Sequence, residues 1–334
     1  MGRDDSPGSH DPAGPGLPAP KPGIVSLQAL RWHEIVAAAG RFIRANPAAV
    51  LVPTLLSALA LFGIGGLAGW WILDLDTIAT AADPAAAEAA AAAPVATSPR
   101  DLLFTLVLTA LLFVVAPPAH AVVLSTLRPA VLGRDRLTLS QAFTAARPHL
   151  RALYGVWAVV AALSLIPTLI ETTAAIPSWI SPDIPDTVGT DTITAVVAIL
   201  TVASALLLIY VSILIALAPA AAVIEGLTAG AALRRSLELV HRSWWRCFAV
   251  LAAISVIILI PTTLITVPAI IIGIGIGMIA PPWIAILTAA TPLAGVFAIS
   301  CSYSIGATAL LYHDQRIRRE NYATDLIHDA RQKP

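Results

Sequence analysis

Apolar residues in this chain fall in long unbroken runs rather than in the short alternations of half-buried strands. Six runs, approximately residues 47–73, 102–127, 152–176, 192–217, 247–272 and 283–311, stand out. Each reaches the length of about 20 residues that a helix rising about 1.5 Å per residue needs to cross a hydrocarbon core about 30 Å thick. No Lys, Arg, Asp or Glu stands at the centre of any run, where each such charge opposes insertion by about 2.5–3.5 kcal/mol. The pattern predicts an all-α integral membrane protein with six transmembrane helices.

The polar stretches between the runs repeat. Leu30-Arg-Trp-His-Glu34, Leu137-Thr-Leu-Ser-Gln141 and Leu227-Thr-Ala-Gly-Ala231 each lead into a short amphipathic stretch and then into a span. This predicts three pseudo-repeats, about 27–127, 128–217 and 218–312, each preceded by a cytoplasmic amphipathic interfacial helix. In the third approach helix, Leu233, Leu237, Val240 and Trp244 fall at i, i+4, i+7 and i+11 and predict one apolar face. Arg234, Arg235, Glu238, His241 and Arg242 occupy its other faces, as expected of a helix at the headgroup level with arginines toward anionic lipid. Thr138 and Gln141 have the spacing of a capping box. Proline punctuation recurs as Leu165-Ile-Pro-Thr168 and Leu259-Ile-Pro-Thr262, and as Ala116-Pro117 and Ala218-Pro219. These sites read either as packing kinks or as kinks lining a central cavity.

Outside the membrane domain, 27–312, residues 1–26 read as a disordered cytoplasmic tail and 313–334 as a cytoplasmic C-terminal tail. Residues 74–100 form a low-complexity Ala/Pro linker, and Trp179 in the Pro/Asp-rich second outer loop is a candidate interface anchor.

Composition agrees with the pattern. Of 334 residues, 57% are hydrophobic and 12% charged, with mean hydropathy +0.82; soluble domains carry about 25% charged residues. Twenty Lys+Arg against twenty Asp+Glu give no overall basicity for nucleic acid. The signs are segregated, however: nineteen of the twenty basic residues precede the first span, follow the sixth or lie in the loops on that same side, and Arg100 stands alone on the other. The positive-inside rule then predicts cytoplasmic N- and C-termini.

Chemistry-bearing residues are few. Cys247 and Cys301 have no metal-site spacing, so neither a disulfide framework nor a zinc site is expected. His120 is the one titratable side chain well inside a span, to be read as a functional group or as a histidine satisfied by one interhelical hydrogen bond. Glu171 falls at the outer interface. Glu225 either pairs with Arg234 or Arg235, setting the angle of the third approach helix, or is a hydrated carboxylate at the membrane edge. Arg234, Arg235, Arg242 and Arg246 are candidates for lipid phosphate, with topology-setting charge as the simpler account. The glycines of 63–69 and 273–277 read as packing features, since no strand precedes them and no lysine follows. No catalytic, cofactor-binding or metal-ligating set is expected.

Residues 218–251, with the Glu225-Gly226 turn, Ala231-Ala-Leu-Arg-Arg-Ser236, Leu239-Val240 and Trp245-Arg246 opening a span, resemble a family of multi-pass bacterial proteins abundant in actinobacteria. That family is labelled by its likeness to the membrane domain of glycerophosphodiester phosphodiesterase. IVSLQALRWHEIVAAAGRFIRANP and ALLYHDQRIRREN also resemble its ends. Its motifs are structural, and its activity is mostly unassigned. The hydrolase's His-Arg-Gly segment has no counterpart, because His241-Arg242 is followed by Ser243. The resemblance and the charge pattern together lead us to expect a non-enzymatic, multi-pass protein of the bacterial plasma membrane. Its expected partners are membrane lipids, with no cofactor, and its expected work is to bind or help move an amphiphilic envelope lipid. The alternative is a scaffold that recruits a partner protein through its cytoplasmic helices and tails.

Overall fold

The computed structural model describes residues 30–72, 98–133, 136–180 and 189–320, and all regular structure among them is helical. Helix α1 (Trp32–Ala45) leads into α2 (Pro47–Leu59), which passes through a π-helical turn, Ala60–Ile64, into α3 (Gly65–Ile72). Next come α4 (Pro99–Ser125), α5 (Leu127–Val131), α6 (Leu139–Ala146) and α7 (Leu150–Ile180), then α8 (Gly189–Ile215) and α9 (Ala218–Ile224). The chain closes with α10 (Ala229–His241), α11 (Trp244–Gly277) and α12 (Pro282–Glu320).

Six helical stretches are long and apolar enough to cross a membrane: Pro47–Ile72, Pro99–Val131, Leu139–Thr173, Ala195–Ile224, Trp244–Gly277 and Trp283–Glu320. They coincide with the six apolar runs. Most extend past them because backbone hydrogen bonding continues into polar residues that hydropathy excludes.

Local chemistry sets the boundaries. The Thr138–Gln141 capping box forms, with Gln141 N donating to Thr138 Oγ1 at 3.3 Å and Thr138 N to Gln141 Oε1 at 2.9 Å. Ser98 and Asp101 cap α4 in the same way. The two alanine–proline pairs behave differently. Helix α4 runs through Pro117 and Pro118, whereas the fourth span breaks after Ile215 and resumes at Ala218. Ser236 of α10 makes the break possible: its hydroxyl donates to the Leu214 carbonyl at 2.6 Å and accepts from Leu217 N at 3.2 Å, replacing helical bonds. Gly226, with φ of 67°, turns the chain from α9 toward α10, a conformation open mainly to glycine.

The core lies at one end of the bundle. Ile35, Phe42, Leu127, Leu153, Leu217, Leu310, Leu311 and Tyr312 are fully buried there, where α1, α6 and α10 pack under the spans. Every described basic residue except Arg100 lies at this basic end. Toward the opposite end, buried packing shrinks to a small cluster of Ala58, Ala294 and Ala298. Ile199, Leu206, Leu264 and Ile271 are exposed, as residues solvated by lipid are. Of the late glycines, Gly273 and Gly277 are packing residues, where Cβ atoms would meet Ala289 and Ala285 of α12 at 3.0 and 3.5 Å, whereas a Cβ at Gly275 would meet nothing within 4 Å.

Two sequence expectations change. The third approach helix ends at His241, so Trp244 opens the next helix, and the buried face is Ala232, Ser236, Leu239 and Val240, while Leu237 is exposed. Small residues win the inner face because α10 sits close against the broken span. The residues after 312 are also not simply a tail extending from the last helix: α12 continues to Glu320, with His313, Asp314 and Gln315 buried. The N-terminal tail, most of the 74–100 linker, the side chain of Trp179 and the C-terminal tail beyond 320 lie outside the described residues.

Candidate functional site

Two charge clusters stand at the basic end, both built on the last turns of α12. In the first, Glu225 Oε1 accepts from Arg235 Nη2 at 3.2 Å, lies 3.3 Å from Arg316 Nε and accepts the Tyr312 hydroxyl. Arg235 also reaches Glu320 at 2.6 Å. Burial opposes the charge on Arg235, but Glu225 and Glu320 outweigh it and hold the guanidinium above its ordinary pKa. In the second cluster the Asp314 side chain is 0% exposed. It accepts from Arg246 Nη2 at 2.6 Å, Arg318 Nε at 3.0 Å and Leu30 N at 2.8 Å. Arg246 and Arg318 also donate to the Leu30 carbonyl at 2.9 and 2.8 Å. This cluster clamps the chain entering α1 against α11 and α12.

Of the candidate phosphate ligands, Arg235 and Arg246 are therefore committed to internal carboxylates. Arg234 and Arg242 are exposed and make no ion pair among the described residues. Glu225 takes Arg235 rather than Arg234 as its partner.

His120 borders a cavity of about 130 Å³ between α4, α9 and α12, together with Cys301, Ser304, Thr308 and Pro219. Its ring stands edge-on to Trp157, with centroids 5.2 Å apart. Pro219 brings one of the predicted proline sites to a cavity wall.

A larger space lies in the other half of the molecule. Between α3, α4 and α12 runs an apolar groove of about 540 Å³, walled by Phe62, Gly66, Phe104, Leu108, Ile286 and Ala290, with Thr109 as its polar side chain. By helix rise the groove extends from about 7 to 20 Å below the start of α4, so it occupies the half of the bilayer away from the basic end. The glycines of the first span shape it. A Cβ at Gly65 would stand 2.7 Å from Leu108 Cδ2, and one at Gly66 2.8 Å from Ile286 Cγ2. The π-helical turn Ala60–Ile64, a feature frequent at functional sites, forms part of the same wall.

Comparison of the chain with family models, with curated proteins and with solved structures finds no match. Sequence reasoning missed both Asp314 and the groove. The first had a signal: Asp314/Arg318 and Arg316/Glu320 are i, i+4 pairs, a helical spacing inside a stretch taken for a tail. The signal for the second was the glycine cluster of 63–69, whose neighbours are hundreds of residues away in part.

Proposed function

We propose that this chain is a non-enzymatic multi-pass protein of the bacterial plasma membrane, with cytoplasmic termini, that binds or helps move an amphiphilic envelope lipid. The observation that carries the reading is the 540 Å³ groove. Its volume falls within the range of about 300–1,000 Å³ typical of ligand pockets, and its walls offer an acyl chain contacts in place of bulk lipid. The three short helices that precede the first, third and fifth spans support a matching inner-leaflet anchor. The approach helices α1, α6 and α10 expose Trp32, Phe143 and Leu237, with Arg31, Arg147 and Arg234 close by in sequence. Arg147 lies over the Phe143 ring at 5.1 Å. Aromatic and aliphatic side chains beside arginines suit the headgroup region of an anionic leaflet.

The test is lipid retention. Protein purified in a mild detergent and released in a mass spectrometer is expected to carry about one lipid, and Ala290→Phe or Thr109→Phe, which fill the groove, are expected to lose it. Equal retention by the wild type and both variants would remove the support. A scaffold role remains the second reading, favoured by Trp245, 76% exposed, beside the exposed Arg242. It requires a protein partner that co-purifies in fixed ratio and is lost on Trp245→Ala but not on Ala290→Phe.

A further inference from the structure

The cavity of about 130 Å³ beside His120 shares no lining residue with the apolar groove, and its chemistry is different. It lies in the basic-end half of the bundle: along α4, His120 stands about 12 Å inward of Arg128. The fourth span makes room for it. Where that span breaks between Ile215 and Ala218, it brings only the small side chains of Ala216, Pro219 and Ala220 to the wall. From α12, Cys301, Ser304 and Thr308 fall at i, i+3 and i+7 and line the same space.

Two of those side chains lack the usual partner. Serine hydroxyls elsewhere in the spans are satisfied locally: Ser125, Ser164, Ser204, Ser212 and Ser255 each donate to a carbonyl three or four residues back. The Ser304 and Thr308 hydroxyls form no hydrogen bond among the described residues, and neither oxygen is closed off from a water molecule. Inside a bilayer they stay unsatisfied unless something in the cavity bonds them. His120 adds an imidazole, which when neutral donates at one nitrogen and accepts at the other.

The walls restrict what that something is. No Asp, Glu, Lys or Arg lines the cavity, so an ion entering it would leave water without a counter-charge. A purely apolar guest would leave both hydroxyls unpaired. Water alone also fits poorly. At about 10–15 Å³ of such space per molecule the volume holds roughly ten waters, each needing about three hydrogen bonds. Six of the ten lining residues, however, are Leu, Ile, Ala or Pro. Mostly apolar walls with a few polar groups are the makeup of a small-molecule site.

We infer that this cavity binds a small uncharged molecule with a hydrocarbon body of about five carbons and one or two hydroxyl or amide groups. Ser304, Thr308 and His120 take its polar groups, and its hydrocarbon lies against Leu124, Ile305 and Ala220. The inference goes beyond the lipid reading and does not rest on it.

The experiment uses the full-length Cys247→Ala variant in detergent, which leaves Cys301 in the cavity wall as the one thiol. Its reaction with methyl methanethiosulfonate is followed by intact mass. Pentanediol, a probe of matching size, is expected to slow the reaction saturably, about tenfold at ten times its Kd. Aminopentanol, of the same length but cationic, is expected to leave the rate unchanged at the same concentration. Ser304→Ala with Thr308→Val, which keeps the shape and removes the hydroxyls, is expected to raise the Kd of the diol about tenfold, and each single variant about threefold. Saturation-transfer NMR on pentanediol with the wild type and the same variants reads that Kd without the thiol, and decides the matter if Cys301 does not react. No slowing and no transfer would mean that the cavity holds water alone, which overturns the inference. Equal protection by aminopentanol, or a Kd indifferent to loss of the hydroxyls, overturns it as well. None of these outcomes touches the groove, which Ala290→Phe tests separately.

Discussion

The two halves of the bundle use the same six helices in opposite ways. At the basic end, spans and short helices close around Phe42, Leu127, Leu217 and Tyr312, and even one carboxylate, Asp314, is buried against partly exposed guanidinium partners. At the other end the same spans meet through small residues, among them a cluster of buried alanines, and leave an apolar groove between α3, α4 and α12. In lipid, apolar side chains gain little from leaving their solvent, so association there depends on close packing and polar contacts. The basic end supplies both. The opposite end supplies small residues at a few crossings, such as Gly273 and Gly277 against Ala289 and Ala285, and leaves the intervening surface open to lipid. One half is a closed base, and the other keeps an apolar groove open between its helices.

The strongest way to break this contrast is to remove the carboxylate at the heart of the base. Asp314→Ala strips two arginines and the Leu30 amide of their common acceptor. Losing one partner of a buried pair is expected to destabilise by about 3 kcal/mol, since Arg246 and Arg318, each about a third exposed, keep some hydration. Thermal unfolding in detergent reads the loss. Because the clamp fixes the start of α1, protease cleavage near Leu30 is expected to rise with it. A variant as stable as the wild type would mean that the charge clusters decorate the base rather than hold it.

A glycine comparison sharpens the same contrast at a smaller scale. At Gly306 a Cβ would come within 2.7 Å of the ring of Phe42, which is fully buried and has nowhere to go. Gly306→Ala is expected to cost about 1–3 kcal/mol through overpacking. At Gly63, in the first span toward the open end, a Cβ meets nothing within 4 Å. Gly63→Ala is expected to fall within about 0.5 kcal/mol of the wild type. Equal effects at the two positions would deny that the halves are packed differently.

The base and the groove were not equally legible in the sequence. Insertion depends on the summed hydropathy of contiguous residues, which is why all six spans could be read from runs such as 102–127. The capping box at Thr138 and Gln141 was legible for the same reason, since both partners lie within one turn. Arg235 was one of two stated partners for Glu225, ten residues away, but Tyr312 and Arg316 reach Glu225 only after the chain has crossed the membrane twice more. Asp314 was hidden by its polar neighbours, although its spacing to Arg318 carried a helical signal. The groove left only the glycine cluster of 63–69 as a trace: it lies between α3, α4 and α12, and a space between helices is a property of their packing rather than of any run. Periodicity also misjudged α10, where Ser236 and Ala232 outcompete Leu237 for the inner face because closeness to a broken helix matters there more than hydrophobicity.

The smallest expected effect concerns the outer rim of the base. Arg234 and Arg242 are exposed and free of ion pairs among the described residues, so Arg234→Gln with Arg242→Gln is expected to leave stability in zwitterionic bicelles within about 0.5 kcal/mol of the wild type. An anionic surface changes the comparison. A basic residue near it contributes about 1 kcal/mol, attenuated within a Debye length. Bicelles containing phosphatidylglycerol are therefore expected to raise the unfolding temperature of the wild type by a degree or so more than that of the double variant, following the scale of about 2–4 °C per kcal/mol for larger domains. Added salt is expected to erase the difference. Arg235→Gln behaves in the opposite manner: its charge is spent on Glu225 and Glu320, so its loss is expected to appear in both bicelles equally. If the exposed pair and Arg235 respond alike to anionic lipid, the rim of α10 does not lie at the headgroup level, and the base ends below the interface rather than in it.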